Sequence, residues 1–259
     1  MQNIITCYKW VLNEQDIRID PGSLNLDTSR AKKRLSEYDK NAIEIATQLL
    51  EQQGGSLTAV SYGAADVKQS LKDALSRGPE KAIWVNDPDA DKADAYVTAN
   101  ALAAAIQAAG EYTMIICADT SADISNQQVP LRLAVLLDVP AVTSVIKLEI
   151  KDEKVIATRR VGETTETIIV GGPAVYTVLP EIAQPRFPTV KQVLGAGKKP
   201  QTELKAGELG LKPERLTPKR KIREIKGYVV TRKNIVYKEG TPAEIAAQLV
   251  ANLTKEGLV

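Results

Sequence analysis

Ser56-Leu-Thr-Ala-Val-Ser-Tyr62 and Lys81-Ala-Ile-Trp-Val85 bracket a run with apolar positions at Val67, Leu71, Ala74 and Leu75. The outer segments are short, apolar and bounded by turn residues, with Gly63 closing the first. The inner spacing of three and four is helical, and Gly78-Pro79 stops it. Strand, helix and strand joined by short links predict a parallel pair with a helical crossover.

Working outward, the same unit recurs. Asn3-Ile-Ile-Thr-Cys-Tyr8 reads as a buried strand. A polar crossing, Asn13 to Arg34, holds the turn Asp20-Pro-Gly-Ser. Ala42, Ile43, Ala46, Leu49 and Leu50 then mark a helix that starts near Ser36 or Asp39 and stops at Gly54-Gly55. Downstream, the Ala-rich run Ala93 to Ala109 is a strong helix former ended by Gly110. Thr113-Met-Ile-Ile-Cys-Ala118 is a fourth strand, and Val129 to Leu137 a further helix before Pro140. Alternation of this kind specifies an α/β fold with a doubly wound, mainly parallel open sheet. Ligands of such sheets bind beyond the carboxyl ends of strands, where strand order reverses. The candidate loops are Cys7 to Trp10, Tyr62-Gly63 and Cys117 to Gln128.

After Ala141 the pattern changes. Val145 to Ile150 and Val155 to Val161 flank Lys151-Asp-Glu-Lys154, which predicts a hairpin. Thr164 to Val170 alternates polar and apolar residues, and Pro173 to Leu179 can return to the main sheet. These residues give a small antiparallel extension, 143–170, within a nucleotide-binding-like domain, 1–184. Residues 185–259 then form an exposed segment and a C-terminal arm. In that arm a strand pair, Tyr228 to Val230 with Asn234 to Tyr237, and a helix from Pro242 to Lys255 are predicted. Thr241 and Glu244 supply the helix's capping box.

Composition narrows the chemistry. Histidine is absent from the 259 residues, which removes the commonest general base and metal ligand. Aromatics are 4% of the chain, too few for a base-stacking surface, so no nucleic-acid partner is expected. Net charge is +2, yet from Lys198 to Lys238 thirteen Lys/Arg face four Glu. That basic strip, with acids dispersed in it, suits wrapping on an acidic partner protein. Cys7 and Cys117 stand alone on strand-like runs and read as reduced thiols, which predicts a cytoplasmic setting. The longest apolar stretch, Val129 to Ile146, is broken by Arg132, Asp138 and Pro140, so no membrane insertion is expected.

Two motifs carry what remains. Cys117-Ala-Asp-Thr-Ser-Ala-Asp-Ile-Ser-Asn-Gln-Gln128 is polar, follows a strand and leads into a helix. Asp119 and Asp123 can accept from ribose hydroxyls or an adenine amine; they could also suggest an acid/base or Mg²⁺ pair, against which a sharp turn with solvated acids is the favoured reading. Ser125 or Asn126 can serve as an ordinary N-cap. Neither familiar phosphate loop is present. The second motif is Pro185-Arg-Phe-Pro-Thr-Val-Lys191, followed by Leu194-Gly-Ala-Gly-Lys-Lys-Pro200. Its prolines bar an interior strand or mid-helix turn. It reads as a stiff exposed segment, fit for docking or as a linker.

Taken in order, several stretches resemble the beta subunit of electron transfer flavoproteins. They are Ile4-Ile-Thr-Cys-Tyr-Lys9, Asn41-Ala-Ile-Glu-Ile-Ala46, Ala59-Val-Ser-Tyr-Gly63, Ala74-Leu-Ser-Arg-Gly78, Asn126-Gln-Gln128, Pro173 to Val178, Pro185 to Val190 and Lys198-Lys-Pro200. Asn13 to Ile17 and Leu194 to Pro200 look most like the branch linked to nitrogen fixation and carnitine metabolism. The resemblance implies a nucleotide-alpha-hydrolase-like fold and an electron-carrier subunit that is not catalytic alone. It implies an alpha-subunit partner that holds most of an FAD, with AMP or a second FAD on the beta side. Flavin dehydrogenases would deliver the electrons and a quinone oxidoreductase-type acceptor would receive them. By position, the nucleotide residues are Cys7, Ser36, Tyr38, Asp39, Tyr62, Ala118, Asp119, Thr120, Asp123, Asn126, Gln127 and Gln128. Partner recognition falls to Arg186, Phe187, Val190 (the anchor), Leu194, Lys198 and Lys199. Departures from the family pattern include Cys117-Ala-Asp119 where Gly-Lys-Gln is common, and Glu14 near a frequent Tyr. The rival reading is a stand-alone adenine-nucleotide binder of universal-stress type, which shares the sheet but needs no basic tail.

Overall fold

In the computed structural model, which describes residues 1–228, 230 and 232–259, the chain alternates as its periodicity predicts. Strand β1 (Gln2–Cys7) is followed by two small ribbons: β2 (Trp10–Leu12) pairs with β5 (Lys33–Leu35), and β3 (Arg18–Ile19) with β4 (Leu26–Asp27). Helix α1 (Glu37–Gln53), β6 (Gly55–Gly63), α2 (Leu71–Ser76), β7 (Lys81–Asn86), α3 (Ala95–Ala109), β8 (Met114–Ala118) and α4 (Val129–Leu137) come next. Then follow β9 (Ala141–Lys151), β10 (Lys154–Val161), β11 (Thr164–Gly171) and β12 (Val175–Val178). The chain ends with α5 (Val190–Ala196), β13 (Gln201–Lys205) and α6 (Pro242–Lys255).

Nine strands form one sheet in the order β11-β10-β9-β12-β8-β1-β6-β7-β13. All neighbours from β9 to β13 in that order run parallel, and β10 and β11 extend the β9 edge antiparallel. The fold is therefore α/β with a mostly parallel sheet, as the alternation specifies. The turn Asp152-Glu153 has both residues at positive φ, 49° and 60°, the geometry that suits a two-residue hairpin. Strand β12 returns between β8 and β9, so the hairpin is an excursion from the main sheet.

Alternate strand residues feed two layers. Ile4, Leu57, Met114, Ile116 and Tyr176 pack against Ala42, Ile45, Ala46 and Leu49 of α1. On the same face Ala59, Ala82 and Trp84 meet Leu71 and Leu75 of α2 and Ala196 of α5. The opposite face, with Ile5, Cys7, Ile115 and Cys117, meets Val97, Ala101, Ala105 and Ile106 of α3 and Leu133 of α4.

Local expectations changed in four places. The helix expected from Val67 to Leu75 opens as a 3-10 turn, Ala65–Ser70, before α2. Neither Ser125 nor Asn126 caps α4; Gln128 holds that position, and its side chain makes no capping bond. Asn234 to Tyr237 forms no strand, and Val229 of its expected partner lies outside the described residues. Cys7 and Cys117 do not stand alone: they are register partners on β1 and β8, both buried as free thiols. The capping box on α6 is formed as expected by Thr241 and Glu244. Among the described residues, no helix is long and apolar enough to cross a membrane.

Candidate functional site

Strand order reverses between β1 and β8, because the chain continues from β1 to β6 on one side and returns to β8 on the other. The crevice beyond their carboxyl ends is the expected ligand position. Its first wall is Lys9, two residues past β1. Lys9 N–H donates to Asp39 Oδ2 at 2.8 Å, and Lys9 O accepts from Ser36 N–H at 3.0 Å. These bonds fix the start of α1 against the end of β1. The β8 loop closes the circuit: Ala122 N–H donates to Ser36 Oγ at 3.3 Å, and Lys9 Nζ pairs with Asp123 Oδ2 at 2.6 Å. Asp123 Oδ1 also accepts from Ser121 Oγ and from its neighbour's amide, Ile124 N–H.

Lys9 thus joins the Ser36, Asp39 and Asp123 expected from sequence. Its signal was its place in the loop Cys7 to Trp10, two residues past a strand that borders the reversal. Asp39 is buried, and burial, opposed by the Lys9 amide, pushes its carboxyl up to about 7. Burial also opposes ionisation of Asp123, but the Lys9 charge and three donors hold its carboxyl below the usual range.

Asp119 lies one step away, with Oδ1 accepting from Thr177 Oγ1 at 2.7 Å and Oδ2 from Gln127 Nε2 at 2.5 Å. Gln128 bonds Asn126 and, through Oε1, Arg132. Ser125 and Gln127 both take positive φ, 50° and 53°, so the loop is coiled on its own side chains. Ala118 is buried at the end of β8, and Thr120 carries a buried Oγ1 without a partner. Tyr38 is half-buried in the first turn of α1. Cys7 lies below the crevice on the α3 face, where the neighbouring Cys117 thiol and then burial raise its own thiol well above the usual value. It is an inert thiol in this state. Tyr62 is on that face too, donating to Asp87 Oδ2 at 2.6 Å. Glu14 is held by Arg34 at 2.7 and 2.9 Å.

The donor set suits a hydroxyl-bearing group better than a phosphate. Asp119 and Asp123 are acceptors, and the crevice cation Lys9 is already committed to a carboxylate. Cavities of about 420 Å³, between Asn3, Ser56, Lys81 and Glu111, and about 240 Å³, between Thr47, Gly55 and Gly78, lie at the strands' amino ends instead. As arranged here, the crevice residues do not fit a bound phosphate.

The recognition residues divide into two kinds. Phe187, Val190 and Leu194 stand out at 94%, 77% and 68% exposure, and Lys198 is exposed beside them. Arg186, half exposed, and Lys199 are instead tied back to the body. Arg186 Nε donates to Glu44 Oε1 at 2.6 Å, and its other nitrogen reaches Glu51 at 3.0 Å. Lys199 Nζ donates to the carbonyls of Leu75 and Pro79 at 2.7 and 2.6 Å.

An open, doubly wound sheet with a crevice at its reversal and a presented segment beside it defines the α/β class that seats ligands beyond strand ends. Within that class, the family model described as Electron transfer flavoprotein domain matches residues 23–209. The chain belongs to this family. The domain is shared by alpha and beta subunits; its members are associated with flavin and form heterodimers.

Proposed function

We propose that the chain is the beta subunit of a heterodimeric electron transfer flavoprotein, of the branch linked to nitrogen fixation and carnitine metabolism. It takes electrons from flavin dehydrogenases and passes them to a quinone oxidoreductase-type acceptor, in the cytoplasm. The observation that carries this reading is the arm. Beyond Leu216 none of the described residues joins a hydrophobic cluster, although Ile222, Ile225, Tyr228, Val230, Ile235 and Val236 are all exposed. Apolar side chains left exposed along a basic arm, and joined to no core, support a partner subunit.

The proposed division of labour follows the chain. Residues 1–184, with the 143–170 extension, form the nucleotide-binding-like body, to whose sheet β13 adds an edge strand, and the rest of 185–259 provides the recognition segment and the arm around the alpha subunit. FAD, held mainly by the alpha subunit, supplies the electron chemistry; this chain positions it and presents Val190 to donors. A second nucleotide on this chain, AMP or FAD, would have to draw Lys9 away from Asp123.

Co-expression with the alpha subunit, followed by an absorbance spectrum and nucleotide extraction, tests the reading. A complex carrying FAD is expected. Failure to form any complex or to hold flavin would overturn it. The second nucleotide reports on the crevice: AMP would mean that Lys9 is released to phosphate, a second FAD would favour bifurcation of electrons, and none would match the closed arrangement.

A further inference from the structure

The segment from Phe187 to Lys198 is held at three points, one on α1 and two at α2 and the turn after it. Upstream, Asn41 of α1 is buried and donates from Nδ2 to the carbonyls of Pro180 and Ala183, both at 2.8 Å. One turn further along α1, Glu44 is only 3% exposed. Its carboxylate accepts from Arg186 Nε and from Arg186 N–H, at 2.6 and 3.2 Å. Gln48 donates to the same carboxylate at 2.7 Å, and Glu51 takes the other end of the Arg186 guanidinium. Asn41, Glu44, Gln48 and Glu51 are spaced to share one face of the helix. That face is a polar stripe gripping residues 180–186.

In the middle, the buried Ala196 seats α5 against Leu71 and Leu75. Thr189 and Gln192 close a capping box at the helix start. Downstream, Lys199 plugs the carbonyls of Leu75 and Pro79, at the end of α2 and the turn after it. What lies between these holds points outward: Phe187, Val190 and Leu194, with Lys191 and Lys198 at the margin.

We infer that Arg186 with Glu44, and Lys199 with the α2 terminus, are positioning clamps that hold α5 as a rigid, outward-facing probe. The inference rests on the reading above that this segment docks electron donors. Its chemistry specifies the partner's socket: apolar at the centre for Val190 and Leu194, acidic at the rim for Lys191 and Lys198. Fixing the segment before contact removes the ordering cost that a mobile loop would incur on binding.

Two measurements on the full chain in its heterodimer test this. Amide hydrogen exchange is expected to show slow exchange in α5, rising at least tenfold over 187–196 in Arg186→Gln and in Lys199→Met. The strands of the sheet are expected to keep their wild-type rates. Arg186→Lys, which keeps a cation for Glu44, is expected to restore most of the protection; a general loss of fold would not show that rescue. Trypsin provides the second readout: cutting after Lys191 is slow in wild type and fast in the two unclamped variants. Wild-type exchange and cutting in both variants would overturn the clamps. Val190→Asp separates the docking reading from the clamps: exchange should stay as in wild type while electron uptake from a purified flavin dehydrogenase falls at least tenfold. Undiminished uptake would overturn the docking reading while leaving the clamp measurements to stand on their own.

Discussion

Asp39 shows what burying one carboxylate does. It holds the Lys9 amide at 2.8 Å, yet its carboxyl sits at about 7 because burial disfavours the charge. In the unfolded chain the same group titrates at about 3.9. Below that pH both states are protonated and folding carries no penalty from this residue. As pH rises, the unfolded state ionises first, so stability falls until the folded carboxyl ionises too. The loss amounts to roughly 1.4 kcal/mol per unit of separation, about 4 kcal/mol at most, and is complete near pH 8. Asp123 and Asp94, held below the usual range, act in the opposite sense and lose their contribution in acid. The difference between wild type and Asp39→Asn isolates the effect. Urea unfolding from about pH 5 to pH 8 should show the variant gaining on wild type as pH rises; parallel curves would contradict it. Sequence placed Asp39 and Asp123 near the crevice but not their opposite behaviour. That depends on burial and on Lys9 reaching across from the loop after β1, and neither is a property of local spacing.

At the scale of elements, the strands and long helices were legible because burial repeats with a period. Every interior strand was anticipated, and Asp94 caps α3 by accepting from Tyr96 and Val97 amides. Short or one-sided elements left no such mark. Strand β13, Gln201-Thr-Glu-Leu-Lys205, lies at the sheet edge with only Leu204 half-buried, so its sequence reads as polar tail. Ribbons β2–β5 and β3–β4 are two or three residues long, below any periodic signal. Gly55, by contrast, was read as part of a helix stop and does more. It opens β6 at φ 134°, where an added Cβ would sit 2.0 Å from the backbone oxygen of Gln2. Backbone of a paired strand cannot step aside, and the φ value is itself unfavourable for a side chain. Gly55→Ala should cost about 3 kcal/mol or more, from overpacking and strain together. Thermal melting checks this; a shift of less than about 3 °C would mean that the β1–β6 register gives way cheaply.

The whole molecule divides its surface between self and partner. Up to Arg220 the chain is tied to its own body: Arg215 reaches Asn100, the Lys219 and Arg220 amides donate to Asp94, and Lys219 lies over Tyr96. Past that point, Gly227 bonds Leu24 and touches Ile19, while Lys233 with Glu256 and Tyr237 with Asn252 hold the arm to itself. Helix α6 has no buried residue of its own. Stability and assembly therefore separate along the chain. Among the described residues, deleting 221–259 removes one backbone bond to the body and a few contacts with Ile19, a loss of about 1–2 kcal/mol by the usual worth of such interactions. The truncated chain should melt within roughly 10 °C of wild type, yet fail to co-purify with the proposed alpha subunit. Because the missing stretch is basic as well as apolar, intact heterodimer should also loosen as salt is raised, on the scale over which exposed charges are screened. Retention of the complex by the truncated chain would place the subunit interface on the body, with the exposed arm serving some other contact. Collapse of the melt on truncation would mean instead that the arm completes the fold.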